Sequence, residues 1–344
     1  MRAAVTDRVG SMAVVDRPEP GPPERGIALV RPEAVGICGS DYSFFSGHMT
    51  EAAGGSQFPR VQGHEIGGRV VAVGPGVRPE LSAGQRVAIM PLRACGRCYP
   101  CGVGRPAACE QFQLLGIHLD GGLQELLAVP QDQVHPIDVQ DPALAALAEP
   151  MSVAVRALRR GRLAAGERLL VLGAGPIGQC LAIAARALGA EVMVADPVAE
   201  RAALAAQLGS ETVVWTGADD TVAAARRWAG TAGPPIAIDA TGAPAAVRAA
   251  VEAVCSAGRV VQVGMSPAEV AIRIGSLTEK ELDLLGSSCM DAQDFARAVE
   301  LVERSAPALA RLVSHEFELE RAPEAIRFAI KNPTSVMKVV IRGG

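Results

Sequence analysis

Leu169-Leu170-Val171-Leu172-Gly173-Ala174-Gly175-Pro176-Ile177-Gly178 is the stretch that decides the fold. Four consecutive apolar residues read as a buried strand, and the Ala-rich run 177–188 beyond them reads as a helix. Between the two, Gly173, Gly175 and Gly178 match G-x-G-x-x-G. Glycine clusters mark many turns, so the motif gains weight only from its setting. A second apolar strand, 192–195, closes on Asp196, eighteen residues after Gly178 (196 − 178). In that setting Gly173 permits a tight turn, Gly175 lets the backbone approach a pyrophosphate, and Gly178 lets the helix pack on the strand. Pro176 and Ile177 open the helix, whose N-terminal amides and dipole would face the phosphates. Asp196 would accept hydrogen bonds from a ribose and repel a 2′-phosphate, so NAD is expected over NADP. Arg201, five residues on, pulls the other way.

Working outward, strand and helix patterns continue to alternate: helix 199–208, then strands at 213–214, 236–238 and 260–263. Alternation on this scale predicts an α/β fold with a doubly wound parallel sheet. Upstream, short β-branched runs such as 68–74 and 85–89 sit among Gly and Pro, the pattern of an irregular β-rich domain. Helical spacing takes over from 141 to 162. The tail carries one amphipathic helix, 291–303, and a last strand, 336–341, expected to rejoin the first domain. The domain expectation is therefore 1–150, completed by 287–344, around a dinucleotide-binding domain at 151–286.

The 344 residues exceed one typical core. With 49% hydrophobic and 20% charged residues, a net charge of −4 and only 3% aromatics, the chain offers neither a basic footprint nor a base-stacking platform, which excludes nucleic acid. The most apolar stretch, 169–185, is interrupted by glycines and a proline, against a membrane span. No apolar signal region follows Met1, so a cytoplasmic enzyme is expected.

Half of the eight cysteines fall in one loop: Cys95, Cys98, Cys101 and Cys109. Thiolates at C-x-x-C-x-x-C-x7-C spacing can converge on one tetrahedral ion, and four soft sulfurs with no open position describe a structural zinc. Two disulfides are the competing reading, disfavoured in a reducing compartment. Two further segments carry ligand chemistry: Cys38 between glycines in 36–41, and His64-Glu65 in 62–68. A single cysteine or histidine is ordinarily a packed or surface group.

These segments, in this order and across essentially the whole chain, resemble the zinc-dependent medium-chain dehydrogenase/reductase family of alcohol and polyol dehydrogenases. The resemblance rests on Cys38-Gly39-Ser40-Asp41, on Gly63-His64-Glu65 running to Val71, on the four-Cys lobe and on the glycine turn. It implies a GroES-like catalytic domain beside a Rossmann domain. Cys38 and His64 match the catalytic zinc ligands, and Glu65 the neighbouring acid, which ligates in some branches and sits behind the metal in others. Glu149, in Glu149-Pro150-Met151-Ser152, falls where simple alcohol dehydrogenases carry a third cysteine and looks like the sorbitol dehydrogenase branch. Ser40 matches the hydroxyl that takes the substrate proton as hydride leaves for the cofactor, and Val263 falls among the cofactor-binding positions.

The chain also departs from the pattern. Ser43 stands where the family often has a relay histidine, so a relay through Ser43, water or His48 is expected. Gln85 and Ala107 replace a common Asp and Asn, and 286–290 lacks the aromatic-Arg-aromatic segment of polyol enzymes, which weakens any specific case for sorbitol. Tyr42, Phe44 and Phe45 would shape the pocket or the core. His118, His135 and His315 read as structural or surface groups, and Cys180, Cys255 and Cys289 as small buried residues. The resemblance thus implies oxidation of a secondary alcohol of a polyol, sugar or cyclitol. Alternatives are an L-threonine 3-dehydrogenase-like enzyme, a simple secondary alcohol dehydrogenase, or a non-catalytic NAD- and zinc-binding protein. The alternating segment 269–274 suggests edge pairing in a homodimer or homotetramer.

Overall fold

The buried run at Leu169–Leu172 is an interior strand of a six-stranded sheet. In spatial order the strands are Glu211–Val214, Glu191–Asp196, Arg168–Leu172, Ile236–Asp239, Arg259–Gln262 and Asp283–Gly286. Every adjacent pair is parallel. The chain steps outward through the first three and then returns to Ile236–Asp239 on the other side, so the order reverses between Arg168–Leu172 and Ile236–Asp239. Helices Pro176–Ala187, Ala199–Gln207, Ala218–Ala229 and Pro244–Ala253 alternate with the strands. Central strands are covered on both faces, which is why Leu169, Leu170, Val171, Ile236, Ala237 and Ile238 are all fully buried and their sequences show no polar alternation.

The computed structural model describes residues 1–49, 57–230 and 232–343. The sheet belongs to one of two compact units, Val153–Cys289; the other is Met1–Ser152 with Met290–Gly344. In the latter, the long strand Ile27–Ile37 pairs antiparallel with Glu65–Val73 and with Lys338–Arg342, so the last strand of the chain joins a sheet begun near its start. Lys338–Arg342 in turn pairs parallel with Val313–Glu318. Val30, Val35, Ile37, Ile66, Val87, Leu123, Ile326 and Val339 build its core.

Three sequence expectations change here. The tail holds more than the helix at Ala292–Arg304, since Ala322–Lys331 is helical and Val313–Glu318 is a strand. Ala322, Ala325, Ile326 and Ala329 form a stripe at 3.6-residue spacing, and small alanines made that stripe weak by hydrophobicity alone. Segment 269–274 forms no strand within the chain; Ile274–Glu279 is a short helix instead. Among the remaining cysteines only Cys180 is buried; Cys255 and Cys289 are half-exposed.

Candidate active site and metal centres

Cys38 follows the long strand Ile27–Ile37 and caps the short helix Gly39–Phe45. Asp41, in that helix's first turn, is fully buried. Its carboxylate accepts the backbone N–H of Cys38 at 2.9 Å and of Gly63 at 3.2 Å, and the Gln62 amide at 3.4 Å. One carboxylate therefore pins the Cys38 turn to the loop that carries His64. Gln62 is itself held by the Thr6 hydroxyl at 2.6 Å. The result brings a sulfur of Cys38, a ring nitrogen of His64 and a carboxylate oxygen of Glu65 within 4.8 Å of one another. The Ser40 hydroxyl lies 3.3 Å from His64 Nε2.

The three acids of this site differ in their surroundings. Glu65 is turned toward Lys338, whose ammonium contacts its two oxygens at 2.6 and 2.7 Å, in space left by Gly36: a Cβ there would fall 2.0 Å from Glu65 Oε2. Burial opposes the charge on Lys338, but Glu65 and Cys38 outweigh it and hold that ammonium firmly protonated. Glu149, in the first turn of Ala148–Arg160, is buried; burial and the Glu65 charge push its carboxyl up to about 7, against the pull of His64. His64 is buried too, which disfavours its cation, yet Asp41, Cys38 and Glu149 outweigh burial and hold its pKa well above the usual value. Anionic groups on several sides of one imidazole make a place for a cation, and Cys, His and carboxylate donors suit a zinc ion with an open position. Burial raises the Tyr42 phenol. Phe44 and Phe45 are buried core residues.

Ser43 donates to the Gly39 carbonyl at 3.2 Å, and His48 is exposed. Gln85 accepts from the Ser82 amide at 3.4 Å, a local turn contact. His118 Nδ1 accepts the Leu114 amide, and His135 and His315 stack near Phe295 and Phe328.

The four-Cys loop is closed at its base by the strand pair Leu92–Arg93 and Gln113–Leu114. All eight cysteines are free in the structure. Cys98 Sγ lies 3.5 Å from Cys101 Sγ and 3.7 Å from Cys109 Sγ. Tetrahedral sulfurs about 2.3 Å from a zinc ion stand about 3.8 Å apart, so the donor set fits zinc. Amides of Cys95 and Gln111 donate to Cys109 Sγ at 3.2 and 3.3 Å, the arrangement a thiolate wants. Backbone amides of Arg97 and Cys98 lower the Cys95 thiol to about 6, whereas burial and the neighbouring sulfurs push Cys101 to about 12.

In the sheet unit, Gly173 has φ +97°, a conformation that favours glycine. A Cβ on Gly178 would fall 1.8 Å from the Gly173 carbonyl oxygen, while one on Gly175 would meet nothing within 4 Å. The helix thus packs tightly on the turn at Gly178 and leaves the Gly175 side open to a ligand. Asp196 is buried, its oxygens accepting the Ala174 amide at 2.6 Å and the Val198 amide at 2.7 Å. Arg201 is half-buried, its carbonyl taking the Gln179 amide at 2.9 Å; Val263 donates its N–H to the Asp239 carbonyl. Open turn, helix N-terminus and strand-end acid together fit a dinucleotide.

In the sequence Asp41 is marked only by its place in the Cys38 loop, and Lys338 carries no local signal. Only tertiary pairing brings that lysine to a residue 273 positions earlier.

Residues 24–139 match the alcohol dehydrogenase GroES-like domain and residues 176–304 the zinc-binding dehydrogenase domain. The chain is 35% identical over 324 residues to the L-galactonate-5-dehydrogenase of Escherichia coli K12, covering 94% of this chain and 93% of that relative. Among solved structures it is similar to an Escherichia coli CFT073 alcohol dehydrogenase complexed with NADH (TM-score 0.88, 28% identity, 99% of both chains). A Sinorhizobium meliloti zinc-binding dehydrogenase bound to NADP also matches (TM-score 0.88, 31% identity, 99% of this chain and 98% of that one).

Proposed function

The chain belongs to the zinc-dependent medium-chain alcohol dehydrogenases, and from that premise we propose that it oxidises a secondary hydroxyl of a polyol, sugar or sugar acid with NAD. The observation that carries the reading is the convergence of Cys38, His64 and a hydroxyl, Ser40, 3.3 Å from the imidazole, with Glu149 buried nearby. When bound, zinc acidifies a hydroxyl and a nicotinamide accepts a hydride. Cys38 and His64 would hold the metal, with Glu149 as third donor, directly or through water. Asp41 fixes the two loops that carry the first two donors. Glu65 is assigned a place behind the metal, because Lys338 occupies both its oxygens. Ser40 accepts the substrate proton; the next carrier is water, since Ser43 spends its hydroxyl on the Gly39 carbonyl. Cys95, Cys98, Cys101 and Cys109 hold a structural zinc.

For the cofactor, Gly173, Gly175, Pro176, Ile177, Gly178 and Val263 receive the dinucleotide. Asp196 at the strand end favours NAD over NADP, with Arg201 the nearest opposing charge on the following helix. The identity to an L-galactonate-5-dehydrogenase supports a hydroxylated carbon skeleton. No helix among the described residues is long and apolar enough to cross a membrane. A cytoplasmic homodimer or homotetramer is part of the proposal.

The test is NADH formation by zinc-loaded protein across polyols, sugars, sugar acids, cyclitols, threonine and simple secondary alcohols, with NAD and NADP compared. A rate confined to polyhydroxylated substrates is expected, with Ser40→Ala lowering it by roughly 10²- to 10⁴-fold. A rate with threonine or simple alcohols alone would overturn the substrate class, and an unchanged Ser40→Ala would overturn the proton route.

A further inference from the structure

The sheet reverses its order between Arg168–Leu172 and Ile236–Asp239, and ligands of doubly wound sheets bind outside the strand ends at such a point. Asp196 ends the strand on one side of the glycine turn; Asp239 ends the strand on the other, in register with Leu172 and with Gln262. Asp239 is fully buried, and its side-chain hydrogen-bond partners among the described residues, Thr241, Gly242 and Gln262, are all neutral. One oxygen accepts the Thr241 amide at 3.2 Å and the Thr241 hydroxyl at 2.6 Å. The other accepts the Gly242 amide at 2.7 Å and the Gln262 side-chain amide at 2.6 Å. Its backbone carbonyl takes the amides of Val263 and Gly264, each at 2.9 Å. Gln262 spans the rest, donating also to the Gly264 carbonyl at 2.7 Å.

Turns held this way are packed backbone against backbone. A Cβ on Gly264 would fall 2.1 Å from the Gly242 nitrogen, and one on Gly173 2.6 Å from the Thr241 methyl group. The loops that Asp239 organises therefore touch the phosphate-binding turn itself. A dinucleotide with its adenosine ribose at Asp196 and its pyrophosphate at the glycine turn must extend its second half across these loops.

We propose that Asp239 is a positioning residue of the cofactor site: acting through Thr241 and Gly242 and, by way of Gln262, through Gly264, it sets the platform for the nicotinamide half, as Asp196 serves the adenosine half. This rests on the dinucleotide reading above. Asp239→Asn keeps an acceptor for Thr241 but turns a donor toward the Gly242 and Gln262 donors. Hydrogen bonds to a charged group are strong enough that losing one or two of them predicts a roughly tenfold to hundredfold weaker NADH complex.

The experiment titrates the full-length, zinc-loaded protein and its Asp239→Asn variant with NADH and, separately, with AMP. Weaker NADH with AMP bound as before, together with a raised KM for NAD and unchanged zinc content, is the expected result. Parallel weakening of NADH and AMP would reveal a general structural role and overturn the proposal, as would NADH binding unchanged. Should Asp239→Asn fail to fold, Gln262→Met, which cuts only the link between the two turns, decides by the same ratio. Wild-type protein that binds neither NADH nor AMP would instead sink the dinucleotide reading beneath the proposal.

Discussion

The ammonium of Lys338, in the last strand, bridges both carboxylate oxygens of Glu65 at 2.6 and 2.7 Å, and both side chains are buried. It also donates to the Ile37 carbonyl at 3.3 Å, next to Cys38. The end of the chain thus supports the strand ends from which Cys38 and His64 project.

Lys338→Met leaves the Glu65 carboxylate buried without its cation. Breaking one side of such a pair costs about 3–5 kcal/mol, whereas replacing both partners with apolar residues is far closer to neutral. Denaturant unfolding of Lys338→Met, Glu65→Leu and the double variant should therefore show strong non-additivity. Additive losses would mean that the pair contributes no coupling.

His135 gives a pH signature away from the metals. Burial, aided by the Arg78 charge, lowers its pKa to about 4, and its Nε2 has no hydrogen-bond partner among the described residues. Below the unfolded value of about 6.5 the unfolded chain takes up a proton that the folded chain refuses until about pH 4, so stability falls as pH drops through that window. The shift corresponds to roughly 3 kcal/mol. His135→Leu should lose less stability than wild type between pH 6.5 and pH 4 in paired unfolding curves, and parallel curves would refute the assignment.

In the cysteine lobe, Cys109 is the buried member and collects two backbone N–H donors. Cys109→Ala is expected to release the lobe's zinc while the Cys38–His64 site stays loaded, and to lower the thermal midpoint. Metal analysis checks it: unchanged zinc content would refute the structural site.

At the glycine turn, Asp196→Ser removes the charge proposed to oppose a 2′-phosphate and weakens the hold on Ala174 and Val198. The ratio of kcat/KM for NAD to that for NADP should fall by about tenfold or more, the scale of one charged hydrogen bond. An unchanged ratio would transfer cofactor choice to other residues, Arg201 first among them.

Much of the molecule was legible before folding because its signals are local. The strand, glycine turn and helix of 169–187 need only apolar periodicity and three residues without side chains, and the thiolate spacing needs only a short loop. Where local signal is weak the reading fell short: the Ala-rich helix Ala322–Lys331 and the strand Val313–Glu318 went unread, and the alternation at 269–274 suggested a strand that the chain does not form.

By itself, the sequence determined the family to which its motifs belong and named the residues expected to carry chemistry. Tertiary structure alone decided how the acids divide their work. Glu65 faces Lys338 across 273 positions of chain, Asp41 clamps two loops together, and Asp239 binds two turns beside the glycine motif. The reason is physical: a carboxylate's role is set by the donors and cations around it, and here those arrive from distant strands that no spacing in the sequence records.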